Sequence, residues 1–157
     1  MDMGDLFGIG IPQEWTELVM LQIRRCLQHR FYLLTKQPQN LVKYSPFPDN
    51  CWVGVSATNQ TQLAQALYVG LARIEAKVKF LSLEPLLERL RLKSVDFRDA
   101  GISWIIIGAQ TKPPFYPPEA YFGGLEQDAD EAGIPVFEKN NLVRNWQCTR
   151  PRQEMPG

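Results

Sequence analysis

The sequence predicts an α/β fold in which the strands of a parallel sheet alternate with helices. Two observations lead to this prediction: short runs that are apolar almost throughout, and segments between them with apolar residues at helical spacing. Continuous apolar runs are typical of strands that are covered on both faces, as in parallel sheets. The predicted strands are Phe31–Thr35, Cys51–Ser56, Val78–Leu83, 102–107 and 134–137.

Four segments have the apolar spacing of amphipathic helices. In the second of them, Asn59 is placed to cap the helix, with Gln62 at the capping-box position. In the last, Gly133 is placed to end the helix. The predicted helices are 11–28, the segment that follows Asn59, 86–92 and Glu119–Ala132, whereas 93–101 is predicted to be a polar connector.

Composition limits the classes of function. The chain has 157 residues, zero formal net charge, one histidine and three cysteines. We therefore expect one domain over 1–142, followed by a loosely packed tail over 143–157. Balanced charge gives no strong nucleic-acid signal, and no apolar run is long enough to cross a membrane. The odd number of dispersed cysteines favours reduced thiols in a cytoplasmic protein without a metal site.

Polar residues stand directly after the predicted strands. In parallel α/β folds, ligands bind beyond the carboxyl ends of the strands. We therefore predict that these residues lie at one edge of the sheet, with His29 at the opposite edge. The predicted edge residues are Asp5, Lys36, Ser56 with Asn59, Glu84, Gln110 and Lys139.

Glu84 is the most informative of these positions. It lies between Leu83 and Pro85, so its carboxylate is expected to be partly buried and to need a partner. We expect that partner to be Lys36, Lys139 or backbone N–H groups. The other positions also have simpler interpretations: the lysines as solvated charges, and Ser56 with Asn59 as a turn and a helix cap.

The motifs at the strand ends occur in an order that can be compared with known families. FYLLTKQP at 31–38, CWVGVSATN at 51–59, KFLSLEPLL at 79–87, ISWIIIGAQ at 102–110 and IPVFEKN at 134–140 follow Asp5-Leu6-Phe7. Together they resemble an uncharacterised phage-protein family that is related to radical-SAM proteins. The resemblance covers about residues 3–142.

This resemblance implies an incomplete TIM-type barrel that uses S-adenosylmethionine and an iron–sulfur cluster held by three close cysteines. The sequence has no such cysteine trio, so this chain is expected to be the truncated C-terminal part of that barrel and inactive alone. Its implied partner is a missing N-terminal half or a second copy in a homo-oligomer.

The resemblance also implies roles for single residues. Ser56 and Asn59 match a region that contacts S-adenosylmethionine, and Gln110 joins them as a cofactor-binding candidate. Glu84, Lys36 and Lys139 match family motifs and are the catalytic candidates. Gly108-Ala109-Gln110-Thr111 stands where the family commonly has Gly-Gly-Glu-Ser.

Two alternatives from other classes remain open. The first is a stand-alone module with a doubly wound sheet that binds a small molecule or nucleotide. The second is a non-catalytic phage accessory protein without a ligand.

Overall fold

A computed structural model describes residues 5–142 and 151–157. Its centre is a five-stranded parallel sheet with the strands in chain order. The predicted parallel α/β fold is therefore confirmed. The strands are β1 (Phe31–Thr35), β2 (Cys51–Ser56), β3 (Val78–Leu83), β4 (Trp104–Ile107) and β5 (Val136–Glu138).

Helices connect the strands. A 3-10 helix follows β1 over Pro38–Tyr44, and α2 continues as a π-helical turn over Gln65–Gly70 and a 3-10 turn over Leu71–Arg73. Within the described residues, the helices are too short and too polar to span a bilayer. The α-helices are α1 (Gln13–Arg25), α2 (Gln60–Ala64), α3 (Ser94–Ala100) and α4 (Glu119–Ala132).

The helices pack on one face of the sheet. Alternate strand residues share the main core with the buried side chains of the helices. Strand order in this sheet runs without the reversal that defines a doubly wound sheet. Representative core residues are Val53, Leu81 and Ile105 from the strands and Leu63, Phe97 and Leu125 from the helices.

The other face of the sheet carries an aromatic cluster. The Trp104 ring lies 5.8 Å from that of Trp52, 5.5 Å from that of Phe80 and 6.0 Å from that of Phe137. The guanidinium of Arg30 stacks over Trp52 at 4.1 Å from the ring centre. Aromatic side chains therefore cover this face from the amino end of β2 across to Phe137 in β5.

Residues 151–157 lie along β5. Gln153 forms an antiparallel bridge with Phe137, and the N–H of Glu154 donates to the carbonyl of Val136 at 3.0 Å. The Nε1 of Trp104 donates to the carbonyl of Glu154 at 3.0 Å. This segment, which we call the β5 strap, pairs with the outer edge of β5. The rest of the tail, 143–150 with Cys148, lies outside the described residues.

The segment 86–92 is not helical, which corrects the helix predicted there. Leu86, Leu90 and Leu92 are buried as expected, but backbone groups of this segment bond elsewhere. The Leu86 N–H donates to Gly108 O at 2.9 Å, and the Arg91 N–H donates to the Gln60 side chain at 2.8 Å. Tertiary partners thus replace the helical hydrogen bonds.

The predicted connector instead contains α3. Its start has a capping signal that the sequence interpretation missed, because the Lys93 N–H donates to the Asp96 carboxylate at 2.9 Å. Phe97 and Ala100 form its buried stripe. Gly101 ends α3 with φ 67°, a conformation that glycine adopts without strain.

Candidate functional site

The parallel order brings the predicted positions to the carboxyl edge of the sheet. Lys36 follows β1, Ser56 ends β2, Glu84 follows β3 and Lys139 follows β5. Gln110 comes after β4, at the same edge. His29 precedes β1 and so lies at the amino edge of the sheet, where its imidazole lines a cavity of about 440 Å³.

Glu84 and Lys139 form an ion pair at this edge. The Nζ of Lys139 donates to Oε2 of Glu84, and the two side chains are 43% and 25% exposed respectively. Of the partners that the sequence left open, the structure brings Lys139 to the carboxylate. The pair is half-buried, so both charges remain within reach of solvent and of a ligand.

Gly108 provides the space for the carboxylate. A Cβ atom placed on Gly108 would lie 2.8 Å from Oε1 of Glu84, closer than real Cβ contacts. The N–H of Gly108 donates to Leu83 O at 3.2 Å. The backbone at the end of β4 therefore lies directly against the Glu84 side chain.

Asn141 completes the cluster, and sequence reasoning missed it. Its Oδ1 accepts from the Ala109 N–H at 3.2 Å, and its Nδ2 donates to the Ala109 carbonyl at 2.9 Å. The same Nδ2 lies 3.5 Å from Oε1 of Glu84. The one sequence feature that could have indicated Asn141 is its position two residues after Lys139, at the same edge of the sheet. We call Glu84, Lys139 and Asn141 the edge cluster.

Asp5 organises the end of β1. Its Oδ2 accepts from the Thr35 hydroxyl at 2.7 Å and from the Lys36 N–H at 2.8 Å. Its Oδ1 accepts from the Phe7 N–H at 3.0 Å. Lys36 itself is exposed. Asp5 thus fixes the backbone at the end of β1 through hydrogen bonds. The Lys36 side chain is not part of the edge cluster.

Asn59 and Gln110 are engaged in local structure. The Asn59 side chain accepts from the Gln62 N–H at 2.9 Å and caps α2, as the simpler interpretation predicts. Gln110 Nε2 donates to Pro113 O at 2.7 Å and stabilises the loop after β4. Both side chains therefore have local hydrogen-bond partners.

Ser56 lies beside Ser82 in the paired register of β2 and β3. Ser56 lies four residues after Trp52 and Ser82 two residues after Phe80, so both share the face of the aromatic cluster, nearer the carboxyl edge. Both are buried. At the carboxyl ends of β2 and β3 this face therefore carries two small hydroxyl side chains, in the same row as Ile106 and Phe137.

Glu138 is a fully buried acid that sequence reasoning did not single out. It lies in β5, and its Oε2 accepts from the Arg152 N–H of the β5 strap at 2.7 Å. The backbone of Glu138 donates to Arg152 O at 2.6 Å. Glu138 therefore joins β5 to the strap.

The cysteines of the described residues do not fit an iron–sulfur cluster. Cys26 follows α1 and Cys51 begins β2, so both lie away from the carboxyl edge. Burial raises the pKa of Cys51 to about 12, so this thiol is protonated at neutral pH. Within 5–142 and 151–157, no group of three or more metal-binding side chains is gathered.

Comparison with known proteins identifies a family. No curated protein and no solved structure matches the chain. Residues 1–149 match the model of a family described as "Protein of unknown function (DUF5131)", a description that names neither radical-SAM nor phage proteins. Because this match spans nearly the whole sequence, the chain belongs to the DUF5131 family.

Proposed function

We propose that this chain is the ligand-binding part of a radical-SAM-like, phage-type partial barrel and that it binds the amino-acid part of S-adenosylmethionine at its carboxyl edge. The observation that carries the proposal is the Glu84–Lys139 pair beyond the ends of a parallel sheet. Strands in chain order with helices packed on one face are the arrangement of a (β/α) barrel segment.

The charges of the edge cluster match a zwitterion. Lys139 would hold the α-carboxylate of the ligand, and Glu84 would hold its α-ammonium group. The Asn141 amide is anchored to Ala109 and adds a donor next to the Glu84 carboxylate. The ion pair that these residues form with each other thus keeps both charges in place for a ligand that carries the complementary charges.

Ser56 would contribute to the ribose side of the ligand. Its hydroxyl lies at the carboxyl end of β2, on the face of the aromatic cluster, and hydroxyl groups bond both as donors and as acceptors. When bound, S-adenosylmethionine supplies an activated sulfonium centre. The role of this chain is to bind and orient that cofactor. It would be inactive alone, because its described cysteines do not fit the cluster.

Isothermal titration calorimetry of the full chain with S-adenosylmethionine, methionine and adenosine tests the proposal. We expect binding of S-adenosylmethionine and weaker binding of methionine. Glu84→Gln and Lys139→Met should each weaken binding about tenfold or more, because each removes a charge-assisted contact.

Glu75→Gln and Lys77→Met are matched controls. Both residues are exposed and precede β3, at the opposite edge of the sheet. They make the same chemical changes away from the site and should leave affinity unchanged. Binding of adenosine or nucleotides without any binding of methionine would favour the stand-alone nucleotide module instead. Absence of binding by all three ligands would contradict the proposal.

A further inference from the structure

One apolar surface of the described chain borders an unpaired sheet edge. β1 is an edge strand, and its outer side is not paired within the described residues. The Phe31 N–H points to β2, where it donates to Asn50 O at 2.8 Å. Backbone direction alternates along a strand, so the N–H groups of Tyr32 and Leu34 point outward. Unpaired edges of this kind are sites of strand addition.

The orientation of α1 follows from its polar flank. Gln13, Glu17 and Arg24 line a cavity of about 260 Å³ together with Lys43 and Ser45, at the 3-10 helix that follows β1. This flank therefore faces toward the next strands of the sheet. The opposite flank of α1 faces past β1, toward the unpaired edge.

That opposite flank is apolar and exposed. Trp15 is 61% exposed and Leu18 is 58% exposed, and Val19 completes the i, i+3, i+4 pattern on the same side. Together with the outer edge of β1, these residues form what we call the open-edge surface. Adjacent exposed apolar side chains beside an unpaired strand edge are typical of interaction sites.

The charges that border the open-edge surface are self-complementary. Glu14 lies in the first turn of α1 and Arg25 in its last turn, and both are exposed. If two copies of α1 pack antiparallel about a point near Val19, Glu14 of each copy lies opposite Arg25 of the other. A two-fold axis that pairs the helices in this way also pairs two β1 edges antiparallel.

We propose that the open-edge surface binds a second copy of this chain and forms a two-fold dimer. In this dimer the apolar flank of α1 packs against its copy, the two β1 strands join, and two Glu14–Arg25 pairs border the interface. The charges at this surface are complementary to those of a second copy, and this favours a second copy over an unrelated polypeptide.

Analytical ultracentrifugation of the full chain over a concentration series tests this proposal. We expect a reversible monomer–dimer equilibrium. Leu18→Glu should abolish the dimer, because it buries two unpaired charges in the interface. Val95→Glu is the matched control: Val95 is an exposed apolar residue on α3, and this change should leave the dimer intact.

A charge swap distinguishes a second copy from another partner. Glu14→Arg and Arg25→Glu should each weaken dimerisation about tenfold, because each places like charges opposite one another twice. The double variant restores opposite charges and should recover most of the affinity. Thermal unfolding of each variant at low concentration checks that the monomer still folds.

Leu34→Pro probes the strand edge separately. It removes an outward N–H, and proline is tolerated on edge strands where the N–H faces solvent. We expect a folded chain with weaker dimerisation. A chain that stays monomeric at every concentration would overturn the proposal and assign the open-edge surface to a different polypeptide. A dimer that is unaffected by Leu18→Glu and by both charge reversals would also overturn it.

Discussion

Lys139 donates to Glu84 across the end of β4, and so joins the ends of β3 and β5, two strands that are not neighbours in the sheet. Gly108 lies between them at the end of β4, where a Cβ atom would come within 2.8 Å of the carboxylate. The glycine directly after β4 thus leaves the space that the Glu84 carboxylate occupies.

Replacing Gly108 should break this arrangement. We expect Gly108→Ala to displace the Glu84 carboxylate from Lys139 and to lower the free energy of unfolding by only about 0.5–1 kcal/mol, because the added methyl group meets the movable end of a partly exposed side chain. Urea denaturation measures the change. Gly124→Ala is the control: a Cβ there meets nothing within 4 Å, and the change should stabilise α4 by up to about 1 kcal/mol. Equal effects of the two substitutions would contradict this account.

The edge ion pair itself should contribute little to stability. Because both side chains are partly exposed, we expect a coupling free energy of about 0.5–1 kcal/mol between Glu84→Gln and Lys139→Met. A double-mutant cycle of urea unfolding measures that coupling. A value of several kcal/mol would mean that the pair serves the fold rather than a ligand.

Asn50 should stabilise the end of α1. Its Nδ2 lies 3.0, 3.1 and 3.2 Å from the carbonyl oxygens of Ile23, Cys26 and His29. We expect Asn50→Ala to cost about 1–3 kcal/mol, since these carbonyls lose a donor. Faster amide hydrogen exchange in the last turn of α1 should accompany the loss.

Gln39→Ala provides the control for Asn50→Ala. The Gln39 amide makes a single exposed hydrogen bond to Gln37, so its loss should change stability by less than about 0.5 kcal/mol. If Asn50→Ala were equally neutral, the proposed role of Asn50 at the helix end would be wrong.

The described cysteines should differ in reactivity. Burial raises the pKa of Cys51 from 9.0 to about 12, whereas Cys26 is partly exposed. We expect iodoacetamide at mildly alkaline pH to label Cys26 but not Cys51 in the folded chain, and both in denaturant. Peptide mass spectrometry measures the labelling. Rapid labelling of Cys51 in the folded chain would contradict its burial.

The raised pKa of Cys51 also predicts the direction of a pH effect. Between pH 9.0 and about 12 the folded state keeps the Cys51 proton that the unfolded state loses. The contribution of this thiol to stability is therefore present below pH 9.0 and falls as the pH rises through that window. Cys51→Ala should remove this component from the alkaline unfolding profile.

The β5 strap should loosen in acid. Hydrogen bonds from the Arg152 guanidinium and the Val136 N–H hold the pKa of Glu154 below its ordinary value of 4.5. Its stabilising contribution is therefore present above pH 4.5 and is lost as the pH falls through the lower folded pKa. The indole N–H resonance of Trp104, which donates to Glu154 O, reports this loosening.

Glu154→Gln should weaken the strap already at neutral pH, because it removes the ionic contact with Arg152. Glu75→Gln, which changes an exposed acid away from the strap, should leave the Trp104 resonance unchanged. A Trp104 resonance that is identical in Glu154→Gln and in the unmodified chain from neutral to acid pH would contradict this account.

The local pattern of the sequence was sufficient for β1, β2 and β3, whose bounds agree with the prediction. Each is apolar almost throughout and is followed by polar residues or proline. A strand that is buried on both faces can therefore be recognised as an uninterrupted apolar run in the sequence. β4 and β5 begin two residues later than predicted. The reason is that the first predicted residue of each strand still bonds to the preceding helix. The Ile102 N–H donates to a carbonyl of α3 at 2.8 Å, and the Ile134 N–H donates to a carbonyl of α4 at 2.9 Å.

The edge positions of Lys36, Glu84 and Lys139 also followed from the sequence, because the carboxyl ends of parallel strands share one edge. The choice of Lys139 as the partner of Glu84 did not, since the two are 55 residues apart. It depends on the order of the strands and on the space above Gly108. Contacts between distant segments have no local pattern in the chain.

Asn141 and Glu138 also owe their contacts to segments that are distant in the chain. Nothing in the local sequence marks Asn141 as the residue that bonds Ala109 and approaches Glu84. Glu138 looks like an ordinary polar strand end, yet it is buried where the β5 strap pairs with β5. Hydrophobic periodicity reports which face of an element is covered, whereas the partner of a buried polar group depends on packing between segments that are remote in the chain.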